Sequence, residues 1–263
     1  MFPQLLRIGS FSLPTYGLLV ALGFLLGLLV ASRLARRSGL DPEQVANLGI
    51  YSAAAGILGA KLFLIVSDFS YYRNNPRDIF SLATLQAGGV FFGGLIVALA
   101  VALWYLRRRG LPALPAADAL APGAALGHAA GRLGCFLAGC CWGRPAELPW
   151  SVTFTNPVAR QQVGVPLGVA LHPAQLYEAA AELAIFALLW WLYHRLHRPG
   201  AILGWYLVLY PGFRLAIEFV RDRQEFWFPF AGPFSMTQWI ALALTAAGCA
   251  LLLRRPAERR PAS

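Results

Sequence analysis

The stretch LPTYGLLVALGFLLGLLVASRLARR, Leu13 to Arg37, decides which class of fold this chain adopts. Its apolar part matches the roughly 20 residues that a helix needs to cross a bilayer. The run is too long for the core of a signal peptide, and it ends in arginines rather than in a small-residue cleavage site. We therefore expect this segment to be retained as a transmembrane helix.

The composition of the whole chain agrees with that expectation, because 58% of the 263 residues are hydrophobic and only 13% are charged. The segments long and apolar enough to span a membrane are 13–32, 45–66, 88–106, 116–137, 175–194, 201–220 and 235–253. The sequence predicts an all-α integral membrane protein with about seven transmembrane helices. We expect one membrane domain, residues 1–254, followed by a short basic tail, residues 255–263.

The formal net charge of +10 would suit a nucleic-acid partner, but no basic stripe interleaved with stacking aromatics is present. The arginines stand at the ends of apolar runs instead, as the positive-inside rule expects. With the N-terminus outside, the arginine groups on the cytoplasmic side are Arg33, Arg36, Arg37, Arg107 to Arg109, Arg195, Arg198, Arg254, Arg255, Arg259 and Arg260. This orientation places the C-terminus in the cytoplasm, and residues 67–87 and 142–173 in a small outer loop region.

Ionisable side chains inside these spans are the strongest functional signal, since each costs roughly 2.5–3.5 kcal/mol on insertion scales and calls for a partner or a role. Arg132 follows His128 at i, i+4 spacing on one helix face, although an arginine reaching to the interface is the alternative. In LYPGFRLAIEFVRDR, Arg214 and Glu218 have the same spacing, with Tyr210 one turn earlier. A purely structural intrahelical ion pair explains that second pattern equally well.

The segment HPAQLYE places polar residues at the start of another predicted helix. Pro173 is expected to begin the helix after His172, which puts Gln175, Tyr177 and Glu178 in its first turns. The helix dipole favours carboxylates and anions there. Helix capping alone accounts for Glu178, but it leaves His172 and Tyr177 unexplained.

Two further polar groups, the amine of Lys61 and the phenol of Tyr16, also lie in predicted spans. Lys61 is the only lysine, so nearly all of the positive charge is arginine, whose planar guanidinium binds phosphate bidentately. This fits a phospholipid ligand, and a coding bias toward arginine explains it just as simply. Tyr16 alone is unremarkable because interfacial tyrosines are common.

Three cysteines cluster in GRLGCFLAGCCWGRP, residues 131–145. The spacing C-x4-C-C of Cys135, Cys140 and Cys141 lacks a second ligand pair at zinc-finger spacing, so we expect no metal. Adjacent Cys140 and Cys141 cannot pair without strain, but either could pair with Cys135 in an oxidising outer compartment. We favour small, polarisable packing residues, and the same interpretation holds for Cys249.

Five motifs in order over the seven spans resemble the bacterial prolipoprotein diacylglyceryl transferase family: the first-helix YG, GRLGCFLAGCCWGRP, HPAQLYE, FRLAIEFVR and SMTQ. The resemblance implies transfer of the diacylglyceryl group of phosphatidylglycerol to the lipobox cysteine of a prolipoprotein, with a thioether formed and glycerol 1-phosphate released. It further implies the bacterial inner membrane as the location, a prolipoprotein signal peptide as the partner, and no cofactor.

The resemblance assigns roles to individual residues. Arg132 matches the signature arginine associated with binding phosphatidylglycerol, Arg214 and Glu218 match an essential arginine and its glutamate partner, and Tyr16 matches the first-helix tyrosine. The residues that match the family's HP-x-QLYE segment are His172, Gln175, Tyr177 and Glu178.

The chain also departs from the family pattern. Where better-known members read GRxGNFxNxExxG, it has Cys135 and Ala138 for the two asparagines and Cys140 for the glutamate, which we interpret as a GCFxxGCC subfamily. In GGVFFGGLI, Phe92 stands where many members carry a histidine that has been proposed as the general base. Either that proposal is not general, or another residue substitutes here.

The mechanism expected from these residues is displacement of a phosphate ester by a thiol, which requires a base, cations for the leaving phosphate and exclusion of water. We hypothesise that Arg132 and Arg214 clamp the phosphate while Glu218 orients Arg214. Glycines would let the backbone approach the head group. The residues expected to contact substrate are Gly131, Arg132, Gly134, Cys135, Gly139, Gly143, Lys61, Tyr177, Glu178 and Tyr210.

The base is not determined by the sequence. His128 and His172 are the histidines near the outer side, since His194 and His197 stand beside cytoplasmic arginines, and Tyr16 or an activated substrate thiol would also serve. Two other functions remain open: a lipid or small-molecule transporter, and an inactive lipoprotein-binding homologue. No inverted repeat or pair of broken helices favours the transporter.

Overall fold

Helices dominate the fold, which is known from a computed structural model that describes residues 1–8, 11–81, 84, 89–195, 198–222 and 235–254. The helices are α1 (Thr15–Arg37), α2 (Pro42–Ser67), α3 (Phe69–Asn74), α4 (Phe91–Arg109), α5 (Ala113–Ala138), α6 (Pro157–Val163), α7 (Ala174–Arg195), α8 (Ala201–Ile217) and α9 (Met236–Leu253). The strands are β1 (Gln4–Ile8), β2 (Phe11–Pro14), β3 (Val152–Thr153) and β4 (Ala170–Leu171). The predicted tail, residues 255–263, and His197 lie outside the described residues.

Among the described residues, four helices are long and apolar enough to cross a membrane, namely α1, α2, α7 and α9, and α8 is a shorter apolar helix. This confirms an all-α, multi-pass membrane protein. Each of the seven ranges predicted as spans overlaps a helix. Helix α8 ends at Ile217, within a few residues of the predicted boundary at 220, and Glu218 is its C-terminal cap.

Two compact units divide the chain: unit 1 comprises Met1–Leu34 and Ala117–Ser263, and unit 2 comprises Ala35–Ala116. Unit 2 is built on the pair α2 and α4. Within unit 2, Lys61 Nζ donates a hydrogen bond to the Thr84 carbonyl at 2.7 Å. The prediction of one membrane domain over residues 1–254 stays a prediction.

The start of α1 in unit 1 is held by a hairpin that the sequence analysis does not predict. Strands β1 and β2 pair antiparallel, with an irregularity between Gln4 and Leu6. The Thr15 hydroxyl donates to the Phe2 carbonyl, and the Thr15 amide donates to the Pro3 carbonyl at 3.1 Å. The hairpin therefore positions the first turn of α1, which carries Tyr16.

Helices α1 and α5 approach each other closely through glycines spaced four residues apart, Gly23 and Gly27 on α1 and Gly123 and Gly127 on α5. A Cβ added at Gly27 would lie 2.6 Å from the Gly123 carbonyl oxygen, so only glycine fits. Small residues at this spacing allow backbones to pack in a membrane, where the apolar lipid gives helices no hydrophobic reason to associate. The contact positions α5, which carries His128 and Arg132.

The N-terminus of α8 and the N-terminus of α9 are each held by a polar cap. Asp118 of α5 is buried, and its carboxylate accepts from the amides of Gly200 at 2.6 Å and Leu203 at 2.8 Å, which caps the N-terminus of α8. Ser235 and Gln238 form a capping box at the start of α9. Polar partners at both helix starts thus satisfy backbone amides that have no partner within the helix.

The segment after α5 forms a small substructure around the buried side chains of Phe154, Ala159, Val165 and Leu171. Strands β3 and β4 pair within it. It is tied to the end of α8 by a bridge between Gly143 and Arg221 and by a hydrogen bond from Trp142 Nε1 to Asp222 Oδ2 at 3.2 Å. Arg221 therefore lies past the end of α8.

We predict that Gly27→Ala lowers the thermal unfolding temperature, because the new methyl group collides with the Gly123 carbonyl and overpacking costs about 1–3 kcal/mol. Gly17→Ala on the same helix is the matched control, since nothing lies within 4 Å of a Cβ there. Thermal unfolding in detergent, followed by tryptophan fluorescence, measures both variants. Equal unfolding temperatures for the two would contradict the close α1 and α5 contact.

Candidate functional site

A histidine and an arginine of α5 face two carboxylates of α7 inside unit 1. Arg132 Nε lies 2.8 Å from Glu178 Oε2, and His128 Nδ1 lies 2.6 Å from Glu182 Oε1. Both carboxylate side chains expose only 2% of their surface. Since each set is spaced i, i+4, one face of α5 matches one face of α7 over a full turn.

We call these two pairs, Arg132 with Glu178 and His128 with Glu182, the ladder. The two pairs are also linked to each other, because Arg132 Nε donates a hydrogen bond to His128 Nε2 at 3.3 Å. From this contact we assign the proton of the neutral imidazole to Nδ1, where it faces Glu182. The spacing of His128 and Arg132 predicts that the two share a helix face, and the structure places them in contact.

Glu182 is a site residue that the sequence analysis missed. The signal was a second acidic residue four positions after Glu178 in an apolar helix. It is almost completely buried, and its Oε2 atom has no hydrogen-bond donor among the described residues. A buried carboxylate of this kind orients and stabilises the imidazole that it contacts.

Helix α8 adds a line of side chains at i, i+4 and i+8. The ring of Tyr210 packs edge-on against His128 with centroids 4.9 Å apart, and Tyr206 stacks on Tyr210. One turn further, Arg214 is buried, and its Nη1 atom has no hydrogen-bond partner among the described residues. An unsatisfied buried guanidinium nitrogen is costly unless an anion binds there.

Glu218 does not pair directly with Arg214 in the part of the chain that the structure describes. Ser235 Oγ donates a hydrogen bond to Glu218 Oε1 at 2.6 Å, which joins the end of α8 to the start of α9. The two residues do lie close enough to interact electrostatically, as do Glu178 and Arg214. The expectation that Glu218 orients Arg214 stays a prediction, and the hydrogen-bond partner that the structure shows for Glu218 is Ser235.

Arg221 interacts electrostatically with Arg214, and Arg144 Nε in turn donates a hydrogen bond to the Arg221 carbonyl at 3.1 Å. Arg144 Nη2 is buried without a hydrogen-bond partner among the described residues. Arg144 belongs to the motif GRLGCFLAGCCWGRP but was not among the predicted site residues. These cations give the site a positive potential suited to an anionic group.

The HPAQLYE segment contacts the loop after α5. Tyr177 accepts a hydrogen bond from Trp150 Nε1 at 2.7 Å, and its hydroxyl lies 3.4 Å from His172 Nδ1. Gln175 Nε2 donates to the Cys140 carbonyl at 2.6 Å. His172 and Tyr177 are thus engaged with each other, whereas Glu178 from the same segment reaches Arg132.

A sequence model of the family described as prolipoprotein diacylglyceryl transferase matches residues 3–254. The chain belongs to this family. It is 36% identical to the phosphatidylglycerol–prolipoprotein diacylglyceryl transferase of Bordetella avium over 98% of this chain and 97% of the relative. The protein of that name from Nitratidesulfovibrio vulgaris is also 36% identical, over 99% and 97%, and that from Clostridium tetani is 31% identical, over 84% and 86%. The resemblance inferred from five motifs is confirmed.

The glycines of the transferase signature are explained by contacts within the protein. A Cβ at Gly143 would lie 2.5 Å from His172 Cβ, one at Gly134 would lie 3.2 Å from the Tyr16 ring, and Gly139 adopts a positive φ of 84° beside Phe154. Only Gly131 has an open surrounding, with Val20 at 3.9 Å. The predicted contacts of these glycines with a head group stay predictions.

Tyr16 and Lys61 are two other predicted site residues, and Phe92 stands where many family members carry a histidine. Tyr16 is 45% exposed on α1 and lies beside Gly134. Lys61 and Phe92 belong to unit 2, and Phe92 is 40% exposed on α4. The structure brings together His128, Arg132, Glu178, Tyr210 and Arg214, with Glu218 nearby.

We predict that breaking the Arg132 and Glu178 pair on one side destabilises the transferase more than removing both charges. Arg132→Leu or Glu178→Leu leaves a buried charge without its partner, which costs about 3–5 kcal/mol, whereas the double variant leaves none. Thermal unfolding of the two single variants, the double variant and the exposed-residue control Glu147→Leu tests this. Additive losses in the double variant would show that the two residues are not coupled.

Proposed function

We propose that this chain transfers the diacylglyceryl group of phosphatidylglycerol to the thiol of the lipobox cysteine of a prolipoprotein. A carbon–sulfur bond forms at the glycerol carbon, the carbon–oxygen bond to phosphate breaks, the thiol proton goes to a base, and glycerol 1-phosphate leaves. Family membership supports the activity, and the relatives named above carry both substrates in their names.

The observation that carries the proposal is the buried Nη1 atom of Arg214, which has no hydrogen-bond partner within the described part of the chain. Arg214 interacts electrostatically with Arg221 and with Glu178 of the ladder. A phosphodiester would satisfy this nitrogen with a charge-assisted hydrogen bond. In a water-poor site, such a contact strengthens as negative charge develops on the leaving phosphate. We assign Arg214 and Arg132 to the phosphate, with Arg144 and Arg221 adding positive potential.

Glu178 has a positioning role in this mechanism. It holds Arg132 through Nε, and the same atom also contacts His128. The terminal nitrogens of the guanidinium are then available for a phosphate oxygen. Because the ion pair is formed before substrate arrives, the arginine loses little side-chain freedom when it binds the lipid.

For the base we propose His128 rather than His172. Glu182 Oε1 lies 2.6 Å from Nδ1 and would favour the proton there, which leaves Nε2 as the basic position. The 3.3 Å contact of Nε2 with Arg132 is long enough for a thiol to replace it. His172 contacts Tyr177 instead. Tyr16 is 45% exposed in the first turn of α1 and would contact substrate.

The proposed topology has seven spans across the bacterial inner membrane, with the N-terminus outside and the C-terminus in the cytoplasm. Arginines in the last turns of α1 and α4, together with Arg195 and Arg254, support it by the positive-inside rule. In this orientation the ladder and Arg214 lie toward the outer side, where the substructure after α5 forms the outer loop region. Both units would then belong to one membrane domain.

Family membership does not favour the transporter. The alternative of an inactive lipoprotein-binding homologue arises because Cys135, Cys140 and Phe92 replace residues that better-known members carry. An activity assay distinguishes it from the enzyme.

We predict that Arg214→Ala lowers the rate of diacylglyceryl transfer by roughly 100-fold or more, because one electrostatic contact to a developing charge is typically worth that much. The assay follows labelled diacylglyceryl from phosphatidylglycerol to a lipobox peptide with purified protein. Arg160→Ala, an exposed arginine on α6, is the matched control and is expected to retain activity. Wild-type protein that is folded yet inactive would favour the lipoprotein-binding homologue.

We further predict that His128→Asn abolishes transfer while His172→Asn retains most of it. Glu182→Gln is expected to lower the turnover number with a smaller effect on the Michaelis constant, since it acts through His128. The same assay measures all three variants, with thermal unfolding to verify folding. Loss of transfer in His172→Asn with retention in His128→Asn would exchange the roles of the two histidines.

A further inference from the structure

Three thiols meet at the turn that follows α5. The Sγ atoms of Cys135, Cys140 and Cys141 all lie within 4.8 Å of one another. Cys135 is buried, and the other two are partly exposed. All three are free thiols in the structure.

The backbone of the turn is shaped to produce this convergence. Gly139 has a φ of 84°, and Cys141, the one non-glycine residue with positive φ among the described residues, has a φ of 56°. Such a conformation is unfavourable for a side chain with a Cβ and persists only where the surroundings hold it. Here the Cys140 amide donates to the Cys135 carbonyl, and Gln175 holds the Cys140 carbonyl.

We propose that these three cysteines form a binding site for a soft, thiophilic metal ion, with Cu(I) as its preferred occupant. Thiolates are the ligands that select Cu(I), zinc and iron–sulfur clusters over harder ions. With metal–sulfur bonds of roughly 2.3 Å, three sulfurs around one ion lie roughly 4 Å apart. The observed spacing reaches that geometry by small rotations of partly exposed side chains.

The number of ligands favours Cu(I) over zinc. No histidine, cysteine or carboxylate among the described residues joins the three thiols in this group. Structural zinc sites use four protein ligands, whereas a three-thiolate set is complete for a trigonal monovalent ion. The spacing C-x4-C-C does not predict this site, because it has no second ligand pair; the turn creates it by folding Cys140 and Cys141 back toward Cys135.

The charge balance is compatible with this occupant. Binding releases the protons of the three thiols, and one Cu(I) with three thiolates carries a net charge of −2. Arg132 and Arg221 lie close enough to Cys141 to interact electrostatically and would offset that charge. Neither cation needs to move away, since neither side chain is a ligand.

The test titrates the reduced, purified protein with Cu(I) under anaerobic conditions against a chromogenic Cu(I) chelator. Wild type is expected to retain one Cu(I) per chain in competition with the chelator. Each of the variants Cys135→Ser and Cys140→Ser is expected to bind Cu(I) roughly tenfold or more weakly than wild type. Cys249→Ser, which removes the exposed thiol of α9, is the matched control and should retain the full stoichiometry. Thermal unfolding of each variant before metal addition verifies that it is folded.

Three results would overturn the proposal. If wild type competes no better than the folded Cys140→Ser variant, the thiols are packing residues. If Cys249→Ser loses the ion equally, the metal binds elsewhere. A parallel titration with Zn(II) and a zinc dye that shows preference for zinc would contradict the trigonal assignment. Because every readout is metal binding, the outcome is independent of transferase activity.

Discussion

The buried ion pair between Arg132 and Glu178 is the interaction on which the rest of the site depends. A guanidinium and a carboxylate taken out of water are costly, and they are compensated only when each meets its partner in good geometry. The pair fixes the rotation of α5 against α7, because one residue from each helix must face the other. The same register brings His128 opposite Glu182 one turn away.

This constraint explains why the third helix of the site differs from the first two. α5 and α7 satisfy each other's charges, whereas α8 brings Arg214 to the same region without supplying a direct partner for its Nη1 atom. The nearby carboxylates are engaged elsewhere, Glu178 with Arg132 and Glu218 with Ser235. The positive potential that remains is available to an anionic ligand, which is what a phospholipid substrate provides.

Much of the fold was predictable from the sequence because transmembrane helices follow from local composition. Every predicted span overlaps a helix, and α1 ends in the arginines that the positive-inside rule uses. The i, i+4 contact of His128 and Arg132 was predictable for the same reason, since it lies within one helix. Contacts between helices were not: the partner of Arg132 is 46 positions away in sequence, the difference between residues 132 and 178, and no periodicity reveals it.

What the sequence could not predict has equally local causes. Hydrophobicity does not mark where a helix ends, so the end of α8 at Ile217 is visible only in the structure. The N-terminal hairpin was missed because its strands are short, and the convergence of the three thiols depends on a positive φ at Cys141 that the spacing of the cysteines does not reveal. The glycines of the signature motif are easy to find, but their neighbours across the packed interfaces are visible only in the structure.

The measurement that tests the central claim most directly is the affinity of purified protein for phosphatidylglycerol in detergent, compared between wild type and Arg214→Gln. If the buried guanidinium binds the lipid phosphate, the folded variant should bind roughly tenfold or more weakly, the value of one charged hydrogen bond. Equal affinity in a folded Arg214→Gln protein would contradict the account, because it would show that the unpartnered arginine is not the anion site.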